Sequence, residues 1–325
     1  MRHSTTKSSL YAPRHPAALS SIALTALLST VLSAGPAFAQ EGASEAAPTA
    51  AVAEGADSPE AAEGRQPLRW GERVRPFSIR AVGEVGFLAV LAHDIQFGRN
   101  GTYIDYQSEG GQETLAFVGR LSVELTLYRQ HRIVLLYQPL TLATTALPRR
   151  DWVVDDEVFE ARTPMNLLYD FPFYRVGYMY DIFADPRLEL SVGAALQIRN
   201  ATITFASQDG EQYRENRDVG PVPLLALRAL YYFDNGFWLG SEIVGLYAPI
   251  SYLNGSDTEV TGAILDASIR AGLVLPRNVE AFLNVRYLGG GAVGQSDDEV
   301  GPGDGYVRNW LHFMTVTLGV NWDIY

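Results

Sequence analysis

Two-residue alternation of apolar and polar side chains runs through most of the chain after residue 76. Leu188, Leu190, Val192, Ala194, Leu196 and Ile198 share one face of an extended segment, and Glu189, Ser191, Gly193, Ala195, Gln197 and Arg199 share the other. This is the period of a strand, whose successive side chains point to opposite sides of the pleat. Residues 115–127, 263–273, 279–288 and 314–324 repeat the pattern. Residues 174–182 and 223–233 carry it less regularly, and 77–97, 132–144 and 237–248 less again. The pattern predicts about ten strands, with twelve as the other count.

The connections alternate in length. Short turns are expected at Arg129-Gln130-His131-Arg132, Ala184-Asp185-Pro186, Asp234-Asn235-Gly236 and Pro276-Arg277-Asn278. Gly accepts positive φ and Pro presets its own φ, so Asn-Gly and Asp-Pro carry a turn mechanism. Longer polar loops are expected over 99–112, 146–163, 207–220, 250–259 and 291–307. An even strand number sends both chain ends to the short-turn side. Aromatic residues gather near that rim: Tyr231, Tyr232, Phe233, Phe237 and Trp238 at one turn, Tyr178 and Tyr180 before another, and Trp322 and Tyr325 at the end. An amphipathic ring suits a membrane boundary, although an ordinary β core also uses Tyr and Phe. Gly289-Gly290-Gly291 has no helix after it and reads as a bend or bulge rather than a phosphate loop.

The start of the chain is organised differently. Arg2, Lys7 and Arg14 precede an apolar run at 17–34, which leads into Ala37-Phe38-Ala39. A basic start, an apolar middle and small residues before a cut are the parts of a secretory signal peptide, with cleavage expected after Ala39. A membrane anchor helix is the alternative, but Ala, Ser and Thr dilute the run. Residues 40–75 read as a disordered acidic periplasmic leader, and 76–325 as the folded domain. Net charge is −12, and losing the three basic residues of 1–39 takes it to about −15. Lys7 is the only lysine. So acidic a chain lacks the basic face that nucleic-acid binding needs. There is no cysteine, which excludes disulfides, thiolate metal sites and lipid attachment through an N-terminal Cys.

Signal peptide, alternation, loop asymmetry and a C-terminal strand ending on an aromatic together resemble bacterial outer-membrane β-barrel proteins as a class, over residues 76–325. The resemblance implies an all-β fold, an antiparallel up-and-down transmembrane barrel with short periplasmic turns and longer outer loops. It also implies a place in the cell outer membrane, contact with outer-membrane lipid and lipopolysaccharide, and passage through the barrel-assembly machinery. A soluble secreted barrel is the alternative, and would have to turn its apolar face inward and leave Arg and Glu outside.

In a membrane barrel the polar face is the lumen, which tolerates charge that is paired or wet. Arg120, Glu124, Arg175, Arg199, Arg228, Glu242, Asp266, Arg270 and Arg286 form the expected lumen charge network, together with Arg80, Glu84, Asp181, Glu189 and Glu280. A register centred on Asn235 sets Arg228 opposite Glu242, and one near Pro276 sets Asp266 opposite Arg286. A small barrel has little spare interior, so Arg/acid pairs predict a plug, with a lined pore as the alternative.

Catalysis is a third reading. His131 falls in a short turn, where solvation is expected. His93 and His312 share parity with apolar residues, so both are expected on the outward face, where some outer-membrane lipid A deacylases keep a His and a nucleophilic Ser. Neither has a Ser two residues away. Asp155-Asp156 and Asp297-Asp298 in outer loops could take Ca²⁺, but solvated acids are the commoner case. No catalytic, metal or cofactor residue is expected. The functional expectation is a structural or loop-binding barrel with an unidentified ligand at its outer loops; a narrow channel for small solutes comes second, and a membrane-embedded lipid-modifying enzyme third.

Overall fold

The computed structural model describes residues 77–249, 259–295 and 303–324, all within the unit Glu63–Tyr325. The expected signal peptide and leader lie outside the described residues, as do Asp297, Asp298 and Tyr325. The described residues hold fifteen strands: β1 (Phe77–Phe97), β2 (Ile104–Asp105), β3 (Ala116–Leu127), β4 (His131–Gln138), β5 (Thr141–Ala146), β6 (Trp152–Val154), β7 (Glu157–Phe159), β8 (Met165–Asp170), β9 (Phe173–Asp181), β10 (Leu188–Ser207), β11 (Tyr213–Tyr232), β12 (Phe237–Pro249), β13 (Glu259–Leu275), β14 (Val279–Gln295) and β15 (Tyr306–Asp323).

Ten of these close a barrel. β1, β3, β4 and β9 to β15 pair antiparallel, each with the next, and β15 returns to β1 with Arg80 opposite Asp323. Closure removes the two free end strands of an open sheet, whose backbone groups would otherwise stand unpaired in lipid. The ten-strand expectation holds, including the three segments with the weakest alternation.

Short turns lie on one rim as expected. At Asp234-Asn235-Gly236 the Asn235 side chain accepts the Phe237 N–H at 3.1 Å, and Gly236 takes φ +83°. One turn sits earlier than expected. β4 begins at His131, one residue before the expected strand at 132–144, and the Arg132 side chain, absent from the expected lumen charges, is buried inside the barrel.

The far rim departs more from expectation. The 207–220 loop shrinks to the few residues between Ser207 and Tyr213, because β10 and β11 run on as one long hairpin. β14 likewise extends to Gln295. The 146–163 loop contains the β6–β7 hairpin and is flanked by β5 and β8, which continue the wall above β4 and β9. Pro139 and Pro172 fall at the two interruptions, where a missing N–H breaks the ladder.

Gly289-Gly290-Gly291 is not a bulge. The ladder runs through it in register on both sides, with Gly290 opposite Ile264 and Leu311. Gly290 has φ +130°, and an added Cβ would lie 2.1 Å from the Ala263 carbonyl oxygen, so only glycine serves there. The true bulge is at Leu91, where the β1–β15 register shifts between Val90 and Ala92.

Candidate functional site

Inward and outward faces separate by chemistry. Leu196, Leu225, Ile269 and Leu318 are 47%, 64%, 67% and 67% exposed on the outside. Arg120, Glu124, Arg228 and Asp266 on the inside are 6% exposed or less. Soluble monomers rarely expose so extensive an apolar surface, and they do not bury charge beneath it. A lipid surround reverses both preferences. The chain is a membrane β-barrel.

The half of this barrel nearest the short turns is filled by ion pairs. Among the described residues, Arg80, Arg120, Arg132, Arg175, Arg228, Arg270 and Arg286 meet Glu84, Glu124, Glu189, Glu242, Asp266, Glu280 and Asp323 within the interior. Asp266 is a hub, accepting two bonds from Arg286 at 2.5 Å and one from Arg175 at 2.9 Å. Arg228 binds Glu124 at 2.9 Å, and Arg132 binds Glu189 at 2.9 Å. Neutral side chains take up remaining lone pairs and protons: Asn284 and Thr317 donate to Glu84 at 2.6 and 2.9 Å, and Gln138 accepts from Arg286 at 2.8 Å. Buried charge is tolerated only when so paired and bonded.

One expected pairing changes, and the other forms through a different register. Arg228 does stand opposite Glu242 in the β11–β12 ladder. Its guanidinium nevertheless reaches across the lumen to Glu124 on β3, and Glu242 lies 3.6 Å from Arg120 and 3.9 Å from Arg270. In a narrow barrel the opposite wall is within reach of a long side chain, so register alone does not choose the partner. Asp266 stands opposite Leu288, two residues from the expected Arg286, and binds Arg286 diagonally. Arg199 sits apart from the network and pairs with Asp218 on β11. Asp181 serves the turn instead, accepting the N–H groups of Phe183 and Leu190.

Large rings complete the filling near the short turns. Trp238 lies over Gly272, and Phe282 over Gly319; an added Cβ would come within 2.5 and 2.1 Å of those rings. Trp238 and Tyr232 therefore leave the expected aromatic girdle and point inward, while Tyr178, Tyr180, Tyr231 and Trp322 stay outside at 38–53% exposure.

The other half of the interior is apolar, which alternation did not foretell. Leu88, Ile95 and Phe97 of β1, Ile203 and Phe205 of β10, and Leu311 and Phe313 of β15 meet Met165, Leu167 and Tyr169 of β8 in one cluster. The β6–β7 hairpin caps this cluster by inserting Trp152, Val154 and Phe159, each at most 1% exposed. Phe205 receives the rings of Phe97, Tyr106, Trp152 and Phe159 at 5.8–6.4 Å. Among the bonds that fasten the hairpin are Asp155 N–H to the Phe97 carbonyl at 3.1 Å, Thr102 N–H to the Val153 carbonyl at 2.8 Å, and Arg214 to the Asp155 carboxylate at 3.0 Å. Asp155 is thus an anchor for the cap rather than a solvated acid, and Asp156 accepts the Gly303 N–H at 3.1 Å. No group of three His or acidic residues able to hold a metal ion occurs among the described residues. Outside the wall, Asp304 accepts the N–H groups of Arg99 and Tyr306, which hold its carboxyl below the usual aspartate range.

His93 and His312 are neighbours across the closing ladder, as expected, but on opposite faces. The Leu91 bulge reverses the parity of β1, so His93 is fully buried inside. Its ring nitrogens bond Gln112 at 2.8 Å and Asn309 at 3.1 Å, with Tyr106, Tyr169 and Phe313 edge-on around it. His312 is on the outer face, with Nδ1 at 2.5 Å from the Tyr287 hydroxyl. His131 is half-buried beside the outward tyrosines and bonds Tyr178 at 2.7 Å.

No family model and no curated protein matches the chain. Among solved structures, the barrel is similar to the outer membrane protease OmpT of Escherichia coli, at 12% identity and TM-score 0.45, covering 78% of this chain and all of that one. It is also similar to the attachment invasion locus protein Ail of Yersinia pestis, at 9% identity and TM-score 0.33, covering 75% and 99%. The toluene transporter TodX of Pseudomonas putida follows at 9% identity and TM-score 0.29, covering 77% and 90%.

Proposed function

We propose that this protein is a bacterial outer-membrane barrel with a closed lumen, acting as a structural element or presenting its outer rim to a ligand. The observation that supports the reading is a barrel interior occupied at two levels: Arg/acid pairs toward the short turns, and an apolar cluster beneath the β6–β7 cap toward the long loops. An ion following the axis would have to break buried pairs and then enter a hydrocarbon layer, and both steps are costly. In this reading the signal sequence directs export across the inner membrane, and the long β10–β11 hairpin faces outward.

A narrow channel for small solutes is the competing reading. Liposomes containing the purified protein separate the two: no swelling in small sugars and amino acids is expected, and swelling at a rate proportional to protein content would reject the closed lumen. Topology is checked on intact cells. A tag at Gly210 should be accessible and one at Asn235 should not, and labelling at Asn235 would invert the orientation.

A further inference from the structure

The wall is not uniformly sealed. β11 and β12 pair only from Leu225 opposite Gly245 down to Tyr232 opposite Trp238. Above that point, among the described residues, β11 continues to Tyr213 paired with β10 only and β12 to Pro249 paired with β13 only. Pro221 and Pro223 lie in the stretch of β11 that has lost this neighbour. Proline cannot donate to a ladder and is confined to edges and bulges, so the seam is written into the sequence.

A groove of about 550 Å³ begins at the seam and crosses the outer face to β15, within the roughly 300–1,000 Å³ range of ligand pockets. Its floor is shallow in side chains, with Gly245, Ala263 and Gly289. Leu225, Tyr247 and Trp310 stand along its sides. Among the described residues, no Arg, Lys, Asp or Glu lines it. At the β14–β15 end, Tyr287 folds over Gly289, where an added Cβ would lie 2.3 Å from the tyrosine oxygen, and meets His312. In the tautomer whose Nδ1 accepts from the tyrosine hydroxyl, Nε2 carries the ring N–H and is a donor.

We propose that this groove holds one acyl chain of a bilayer lipid, whose ester carbonyl accepts a hydrogen bond from His312. The occupant follows from position: the groove opens among lipid-facing side chains such as Leu227 and Leu265, so hydrocarbon is its solvent. A lining that is charge-free among the described residues, with a donor at its end, matches a chain and its ester. The proposal rests on the barrel lying in a bilayer and adds a lipid site to that reading.

The test uses the full chain in phosphatidylcholine vesicles doped with a phosphatidylcholine carrying a diazirine in one acyl chain. After irradiation, label should be enriched about tenfold in peptides bearing Gly245, Ala263, Gly289 and His312 over those bearing Leu135 and Val176 on the opposite wall. Ala263→Trp, which fills the groove, should bring the enrichment down to the wall level while the heat-modifiable gel mobility of the barrel persists. Leu225→Trp narrows the same groove from the other side and should act alike, which covers the case of an Ala263→Trp chain that fails to assemble. Even labelling of all lipid-facing peptides in the wild type, or enrichment that survives both substitutions, would overturn the site while leaving the barrel intact. A wild-type chain that does not enter vesicles at all would overturn the membrane reading with it.

Discussion

Arg228 carries the interior's pairing logic in one side chain. It sits beside Glu242 along the wall, yet donates across the lumen to Glu124 at 2.9 Å and approaches Glu189 at 3.6 Å. A double-mutant cycle resolves which acid it serves. Arg228→Met with Glu124→Gln should show a coupling of about 0.5–3 kcal/mol in urea unfolding, and Arg228→Met with Glu242→Gln a smaller one. Equal couplings, or a larger one to Glu242, would restore the neighbour-strand pairing. The inward face of each strand was legible residue by residue from parity, except in β1 beyond Leu91, where the bulge exchanges the two faces. Partners were not, since they depend on which side chains meet across a closed interior. Arg132 was hidden for a simpler reason: Arg129-Gln130-His131-Arg132 reads as one polar turn, and nothing local marks where the turn yields to the strand.

At the scale of elements, β1 shows how one residue redirects a strand. Leu91 is unpaired in the β1–β15 ladder, and the parity change it imposes sends His93, Ile95 and Phe97 into the apolar cluster. Deleting Leu91 should join Val90 to Ala92 in one regular ladder and keep Ile95 and Phe97 inside at little cost, whereas Ile95→Ala should cost about 2–5 kcal/mol by leaving a cavity in the apolar cluster. Leu91→Ala, at a half-exposed position, should cost much less. Thermal unfolding followed by loss of heat-modifiable mobility reads all three, and an Ile95→Ala chain as stable as wild type would contradict the inward placement of Ile95. This is also why alternation over 77–97 is weak: two phases are joined at a bulge. The β6–β7 hairpin had a signal that loop polarity masked. Trp152, Val154 and Phe159 flank Asp155-Asp156, an apolar hairpin around an acidic turn.

The whole molecule was largely legible, because strand count, face assignment and rim asymmetry all follow from a period of two and from turn chemistry. The apolar upper interior was not, since it is assembled from inward positions of distant strands and from chain that reads as loop. Two unlike layers in series have a consequence that a single charged layer would not: breaking one ion pair leaves the hydrocarbon layer in place. Planar-bilayer recording of the purified protein tests this most directly. Wild type and Glu242→Ala should both show no steady conductance, and only a variant that also removes the cap, such as one lacking residues 152–159, should open. Steady ohmic current through the wild type, with ion selectivity that changes in Glu242→Ala, would contradict the closed lumen.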